Sequence, residues 1–293
     1  MNGTVDDTPD DGAVTVRELI EQTTAVLAAR HEARWLVEVA TALDGPELDA
    51  ALDEPVTVRM VNHLDAMLAR YRTGEPLQYV LGRWSFRRLD LAIDRRVLIP
   101  RPETELVAEV AVGLARSIEP IRQIADLGTG SGAIGLAMAT ELPLDGTTIW
   151  ITDASDDALA VARANLAGIG RPAKNVRVAH GSWFEALPDG ERFHVIVSNP
   201  PYVAEGSPLL DRSVLEWEPA SALLAGPDGL DAIRLIVAGA GDRLVPGGWL
   251  VLEIGADQRD AVHGLLDGAG FVDVEVRRDL ADHDRIAIAR RPS

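Results

Sequence analysis

Residues 121–135 constrain the fold more than any other stretch of this sequence. An apolar run, Ile121 to Asp126, leads into Leu127-Gly128-Thr129-Gly130-Ser131-Gly132 and then Ala133-Ile134-Gly135. Glycines at this spacing let the backbone leave a strand sharply and enter a helix at once. They also let a ligand approach the main chain closely, with the helix amides facing it. A chain built around such a unit is predicted to be an α/β protein whose ligand sits outside the carboxyl ends of a mainly parallel sheet.

The rest of the chain fits this prediction. Further apolar strand candidates are Thr148–Asp153, Val176–His180, His194–Ser198, Trp249–Ile254, Val272–Val276 and Arg285–Ala289, mostly separated by helical stretches. Upstream, the pattern is different. Residues 1–13 are rich in Asp, Gly and Pro and read as a disordered acidic tail. Residues 14–74 read as a helical domain that opens at Thr15, with Glu18 at capping-box spacing. Residues 75–105 read as a linker holding a β-hairpin, because Trp84-Ser85-Phe86 and Leu89–Ile93 alternate like strands. Residues 106–293 are the α/β domain.

Charge narrows the choice of partner. The 293 residues carry 46 Asp plus Glu against 28 Lys plus Arg, a net charge of −18. A nucleic-acid binder ordinarily presents a basic face that displaces phosphate counterions. Direct nucleic-acid binding is therefore not expected, and a basic protein partner suits the field better. The chain has no cysteine, which removes disulfides, thiol chemistry and Cys-type zinc sites. Its six histidines form no metal-ligand spacing, so no metal is expected. The first residues lack the basic and apolar regions of a secretory signal, and no apolar run approaches a membrane span. A cytoplasmic, monomeric protein is the expectation.

The glycine-rich turn by itself leaves two cofactors open. Gly130-x-Gly132-x-x-Gly135 satisfies a dinucleotide fingerprint. Gly128-x-Gly130-x-Gly132 behind Asp126 has instead the form found in methyltransferases, where an acid meets a cationic amino group. Asp153, at the end of the next strand, can accept hydrogen bonds from both hydroxyls of a ribose. It would serve NAD equally well, and its bland alternative is a helix cap before Ala158.

A second turn narrows the chemistry. Val195-Ile196-Val197-Ser198 runs directly into Asn199-Pro200-Pro201-Tyr202. Two prolines stiffen the backbone and remove two N–H donors, which leaves local carbonyls as acceptors. The Asn199 side-chain oxygen is another acceptor. A planar NH2 group can give one hydrogen to Asn199 and one to the Pro200 carbonyl, with Tyr202 as a flat surface beside it. An amide nitrogen is a weak nucleophile, so accepting its hydrogens and positioning it carry the reaction. The turn suits glutamine and adenine alike.

Other segments add a resemblance. They are Gln78–Gly82, Ile99-Pro100-Arg101-Pro102-Glu103-Thr104-Glu105, Asp126–Gly132, Ser182-Trp183-Phe184, Ser198–Tyr202, Glu218-Pro219, Ala225–Leu230 and Leu252–Gly255. With these pieces the chain, from about Arg17 onward, resembles the PrmC/HemK family of peptide chain release factor glutamine methyltransferases. The resemblance implies a class I (Rossmann-like) S-adenosylmethionine-dependent methyltransferase domain. It adds a small helical N-terminal domain that docks the substrate, and a linking β-hairpin. It implies transfer of methyl from S-adenosyl-L-methionine, giving S-adenosyl-L-homocysteine, to the glutamine of a Gly-Gly-Gln loop in class I release factors. It places the cofactor on Gly128, Thr129, Gly130, Ser131 and Gly132, with Asp153 on the ribose, Trp183 against the adenine and Asn199 near the methyl donor. Asn199, Pro200, Pro201 and Tyr202 would cradle the substrate. Arg101, Thr104 and Glu105 would line the cleft without assigned roles.

The alternatives are an adenine-N(6) nucleic-acid methyltransferase, a glutamine methyltransferase for a ribosomal protein, an NAD-dependent oxidoreductase and a non-enzymatic binding protein. The acidic charge argues against the first. The Asn-Pro-Pro-Tyr turn has no use in an oxidoreductase. The acidic tail has no clear counterpart in the family, and Val203–Arg212 is expected to be its more variable part.

Overall fold

The computed structural model describes residues 14–207 and 212–293. The acidic tail and part of the 203–212 segment lie outside the described residues. The chain divides into two compact units at the Gly82–Arg83 peptide.

The first unit is helical. Helix α1 (Val16–Leu27) starts at a complete capping box: the Glu18 amide donates to the Thr15 hydroxyl, and the Thr15 amide donates to the Glu18 carboxylate at 2.9 Å. Helices α2 (Arg30–Thr41) and α3 (Gly45–Ala50) follow, the latter with Pro46 in its first turn. Helix α4 (Val58–Arg72) is capped by Thr57. Their inward faces meet in one cluster containing Leu19, Leu36, Val37, Leu48, Leu64 and Met67. Each such side chain contributes roughly 1.5–3 kcal/mol by leaving water. A fifth helix, α5 (Leu77–Leu81), lies past Gly74 and ends at Gly82. Five residues are too few for a helical period to show in the sequence. Arg70 of α4 anchors it, donating to the Tyr79 carbonyl at 2.8 Å and pairing with Glu75 at 2.6 Å.

The second unit opens with an antiparallel hairpin, β1 (Arg83–Phe86) and β2 (Leu89–Ala92), and then helix α6 (Pro102–Arg116). The α/β layers follow: β3 (Arg122–Leu127), α7 (Ala133–Glu141), β4 (Thr147–Asp153), α8 (Asp156–Gly168), β5 (Val176–His180) and β6 (Phe193–Ser198). After α9 (Arg212–Trp217) come α10 (Asp231–Arg243), β7 (Leu244–Glu253), α11 (Arg259–Gly268), β8 (Val272–Arg278) and β9 (Asp284–Arg290). The seven strands β3 to β9 form one sheet in the order β5-β4-β3-β6-β7-β9-β8. All neighbours are parallel except β9, which runs antiparallel to β7 and β8.

Helices cover both faces. Ala125, Leu127, Ile196, Leu250 and Leu252 point into a core with Ile233, Ile236 and Val237 of α10 and Val262 and Leu266 of α11. The alternate residues Asp126 and Ile151 meet α7, where a Cβ on Gly135 would stand 2.3 Å from Ile151 Cγ2. Only glycine lets that helix come so close. Among the described residues, no helix is long and apolar enough to cross a membrane.

Candidate active site

Strand order fixes where a ligand can sit. Strand β3 leads by way of α7 to β4 on one side, and β6 flanks it on the other, so the crevice opens at their carboxyl ends. Leu127 pairs with Ser198 and Ser198 with Leu252, so β3, β6 and β7 end level. The Ser198 hydroxyl donates to the Leu127 carbonyl at 2.6 Å and ties the two central ends together. Asp126, Gly128, Asn199 and Glu253 are thereby gathered at one edge.

A cleft of about 360 Å³ lies there. Its wall includes Asp126, Gly128, Thr129, Gly130, Ser131, Asp153, Trp183, Asn199 and Pro201. These are most of the residues singled out from the sequence. Gly132, Pro200 and Tyr202 are set back from it. Gly132 heads α7, and its open side faces Leu136. Pro200 is buried. Tyr202 packs against the core, and its hydroxyl donates to Glu253 Oε1 at 3.1 Å. The flat surface expected from Tyr202 is therefore turned inward, since an aromatic ring with a buried hydroxyl goes where it finds an acceptor.

The first acid of the turn is poised for a cation. Asp126 Oδ2 accepts from the Thr129 hydroxyl at 2.5 Å and from the Gly135 amide at 2.9 Å. Its Oδ1 is buried and has no hydrogen-bond partner. Burial pushes the carboxyl up to about 6, against the pull of these hydrogen bonds. An amino group brought into the cleft could satisfy Oδ1.

Asp153 is held differently. Its Oδ2 accepts from the Gly130 amide and its Oδ1 from the Ser155 amide, both at 2.9 Å. Each oxygen keeps acceptor capacity for a vicinal diol. Helix α8 is capped by Ser155, whose hydroxyl accepts from the Ala158 amide at 3.1 Å. Asp153 has no capping duty.

Trp183 begins the short helical turn Trp183–Ala186 with φ 46°, a conformation an L residue adopts at a cost. Its ring lies over Gly128, where a Cβ would stand 3.3 Å from Trp183 Cζ3. A flat group entering beside Trp183 could stack on it.

Asn199 is oriented from behind. Its side-chain NH2 donates to the Thr104 hydroxyl at 3.2 Å. Thr104 in turn donates to Glu253 Oε2 at 2.7 Å. Thr104 and Glu253 are buried. Burial raises the Glu253 carboxyl above its usual range, and burial beside Glu253 raises the Tyr202 phenol.

The Ile99–Glu105 segment forms another wall. Leu98, Pro100 and Thr104 face the cleft, as do Pro219, Ser221 and Ala222. Glu218, buried, joins the two: it accepts from the Ile99 amide at 3.0 Å and pairs with Arg101. Glu105 does not line the cleft; it accepts from the Arg87 amide at 3.0 Å and so anchors the hairpin to α6. Sequence reasoning gave Glu218 and Glu253 no role. The available signal was an acid at the end of an apolar strand, Leu250-Val251-Leu252-Glu253, where the fold places its ligands.

Comparison with known proteins gives a consistent result. A family model described as "Methyltransferase small domain" matches residues 111–213, and one described as "PrmC N-terminal domain" matches residues 17–82. The chain is 45% identical over 241 residues to a protein from Xylella fastidiosa (strain Temecula1) named release factor glutamine methyltransferase, covering 82% of this chain and 85% of that one. It is 38% identical over 275 residues to a protein of the same name from Escherichia coli K12, covering 94% and 97%. Among solved structures, a methyltransferase from Pyrococcus furiosus superposes with a TM-score of 0.53 at 18% identity, covering 78% of this chain and all of that one.

Proposed function

The chain belongs to the release factor glutamine methyltransferase family, and from that premise we propose how its own residues carry the reaction. The activity is transfer of a methyl group to the side-chain amide nitrogen of the Gly-Gly-Gln glutamine in class I peptide chain release factors. S-adenosyl-L-methionine supplies the electrophilic methyl group and leaves as S-adenosyl-L-homocysteine.

The cleft fits that cofactor. The unpartnered Asp126 Oδ1 suits its amino group. Asp153 suits the ribose hydroxyls and Trp183 the adenine face, with Gly128, Thr129, Gly130 and Ser131 lining the approach between them and Gly132 setting the turn. The observation that carries the substrate reading is Asn199. With its NH2 on Thr104, its oxygen remains as an acceptor at the cleft.

One amide hydrogen of the glutamine goes to Asn199 Oδ1 and the other to the main-chain carbonyl of Pro200, whose ring is buried behind the cleft wall. Held so, the nitrogen can release electron density as its new bond forms, and its proton leaves to solvent. Pro201 closes the cradle, and Tyr202 supports it from behind. The helical unit docks the release factor. The acidic net charge of −18 is what supports reading it as an enzyme that makes no direct nucleic-acid contact, and we take it to act as a cytoplasmic monomer.

Mass spectrometry of purified release factor after incubation with enzyme and cofactor tests this reading. A single methyl on the loop glutamine is expected. Methyl on a ribosomal-protein glutamine or on nucleic-acid adenine, with none on the release factor, would overturn it.

A further inference from the structure

Behind Asn199 stand three side chains whose hydrogen-bond directions are not free. An ionised carboxylate only accepts, so with Glu253 ionised both Thr104 and Tyr202 donate to it. The one hydrogen of the Thr104 hydroxyl is thus committed at 2.7 Å. Toward Asn199, Thr104 can then only accept. An asparagine amide has an acceptor end and a donor end, and only the donor end satisfies such a partner.

We propose that the buried Thr104–Glu253–Tyr202 network fixes which end of the Asn199 amide faces the cleft, making Thr104 and Glu253 positioning residues for the substrate amide. The inference rests on the glutamine-amide reading given above and adds its orientation and selectivity. With the oxygen forward, the site accepts an N–H. A carboxylate in the same place has no hydrogen to give and would meet an oxygen. With the amide reversed, Asn199 would present NH2 to the substrate NH2, donor against donor.

The charge of Glu253 sets the polarity of the whole line. Burial, the largest influence, raises its carboxyl and Glu103 adds to this; the Thr104 and Tyr202 hydroxyls and the positive charge of Arg285 pull the other way, toward the ionised form that the proposal requires. The network spans three elements that also hold the cleft. Thr104 lies in the first turn of α6, Glu253 ends β7, and Tyr202 follows β6. It is buried on every member except Asn199, which sits at the surface of the cleft, and Tyr202, which is partly buried.

The test compares Thr104→Val, Thr104→Ser and Glu253→Gln in the full chain, with release factor as substrate. Steady-state kinetics are measured beside cofactor affinity by calorimetry. Thr104→Val removes the acceptor, and Glu253→Gln lets the hydroxyl of Thr104 reverse. Both are expected to lower kcat on the order of 10–100-fold, as for a misplaced reacting group, with cofactor affinity retained. Thr104→Ser keeps the hydroxyl and is expected to recover most of the loss seen with valine.

Wild-type kcat in Thr104→Val or Glu253→Gln would overturn the proposal. So would a serine variant as impaired as valine, or loss of cofactor binding in step with transfer, which would assign the network to the fold alone. Wild-type enzyme that leaves the glutamine unmethylated would sink the function reading itself and is a separate outcome.

Discussion

Trp183 packs closely over Gly128: a Cβ on residue 128 would lie 3.3 Å from Trp183 Cζ3, and both backbones hold positive φ, 46° at Trp183 and 67° at Gly128. Glycine adopts such a backbone freely, whereas Trp183 does so at a cost. Left-handed backbone costs an L residue roughly 1–2 kcal/mol, which the surrounding packing must offset.

Gly128→Ala is expected to impose that cost and push the indole out of place. Cofactor affinity should fall about tenfold or more, the equivalent of 1.4 kcal/mol. Calorimetric titration checks this, and unchanged affinity would separate Trp183 from the cofactor.

Asp126 makes cofactor binding pH-dependent. Its carboxyl rises from 3.8 to about 6 through burial. Below 3.8 the group is protonated in both folded and unfolded chains and costs nothing. As pH climbs to about 6, the unfolded chain has lost its proton and the folded chain still holds it, so stability of the free enzyme declines. The total is on the order of 3 kcal/mol. A cationic amino group at Oδ1 needs the ionised form. Affinity should therefore strengthen with rising pH, by up to about tenfold per unit below the folded pKa, and level off above it. In Asp126→Asn the slope should vanish. A slope that survives the substitution would remove Asp126 from the amino-group site.

Asn199→Ala removes the acceptor from the cleft. Cofactor affinity should stay within a few-fold of wild type, while kcat drops by roughly 10²–10³, the scale for losing one preorganised polar partner. Rapid-quench measurement of methyl transfer would check this. Near-normal transfer would defeat the cradle mechanism.

Glu218→Ala strands the Ile99 amide and the Arg101 guanidinium. Arg101 is partly exposed and can turn to water, so the expected loss is roughly 2–3 kcal/mol, mainly from the buried amide and the cavity. Denaturant unfolding measures it. Glu218→Gln keeps an acceptor for the amide and should lose less.

Truncation at Gly82, the boundary between the two units, tests the docking role. Activity on intact release factor should fall far more than activity on a short Gly-Gly-Gln peptide. Equal losses on both substrates would mean that the helical unit does not recognise the folded substrate.

All seven strands of the main sheet were legible in the sequence. The central parallel strands β3 and β6 have to be apolar on both faces, which leaves a mark in composition, whereas the exposed edge strand β8 alternates apolar and charged residues. The capping box at Thr15 and the glycine turn at 128–132 were legible for a similar reason, since local backbone geometry permits few residue types there. Helix α5 was not, because its five residues make little more than one turn, too few for a repeat to show.

The α/β class, the glycine turn after β3 and the Asn199-Pro200-Pro201-Tyr202 turn after β6 follow from the order of residues alone. Each of these is a local matter of backbone stiffness, alternation or turn geometry. Tertiary structure alone decided that Tyr202 turns inward to Glu253. It also decided that Glu218 meets the Ile99 amide 119 positions away and that Thr104 meets a carboxylate 149 positions away. Hydrogen bonds over such separations leave no period or spacing in the chain. They exist because the strand order brings the ends of β3, β6 and β7 level, and because buried polar groups there must find one another.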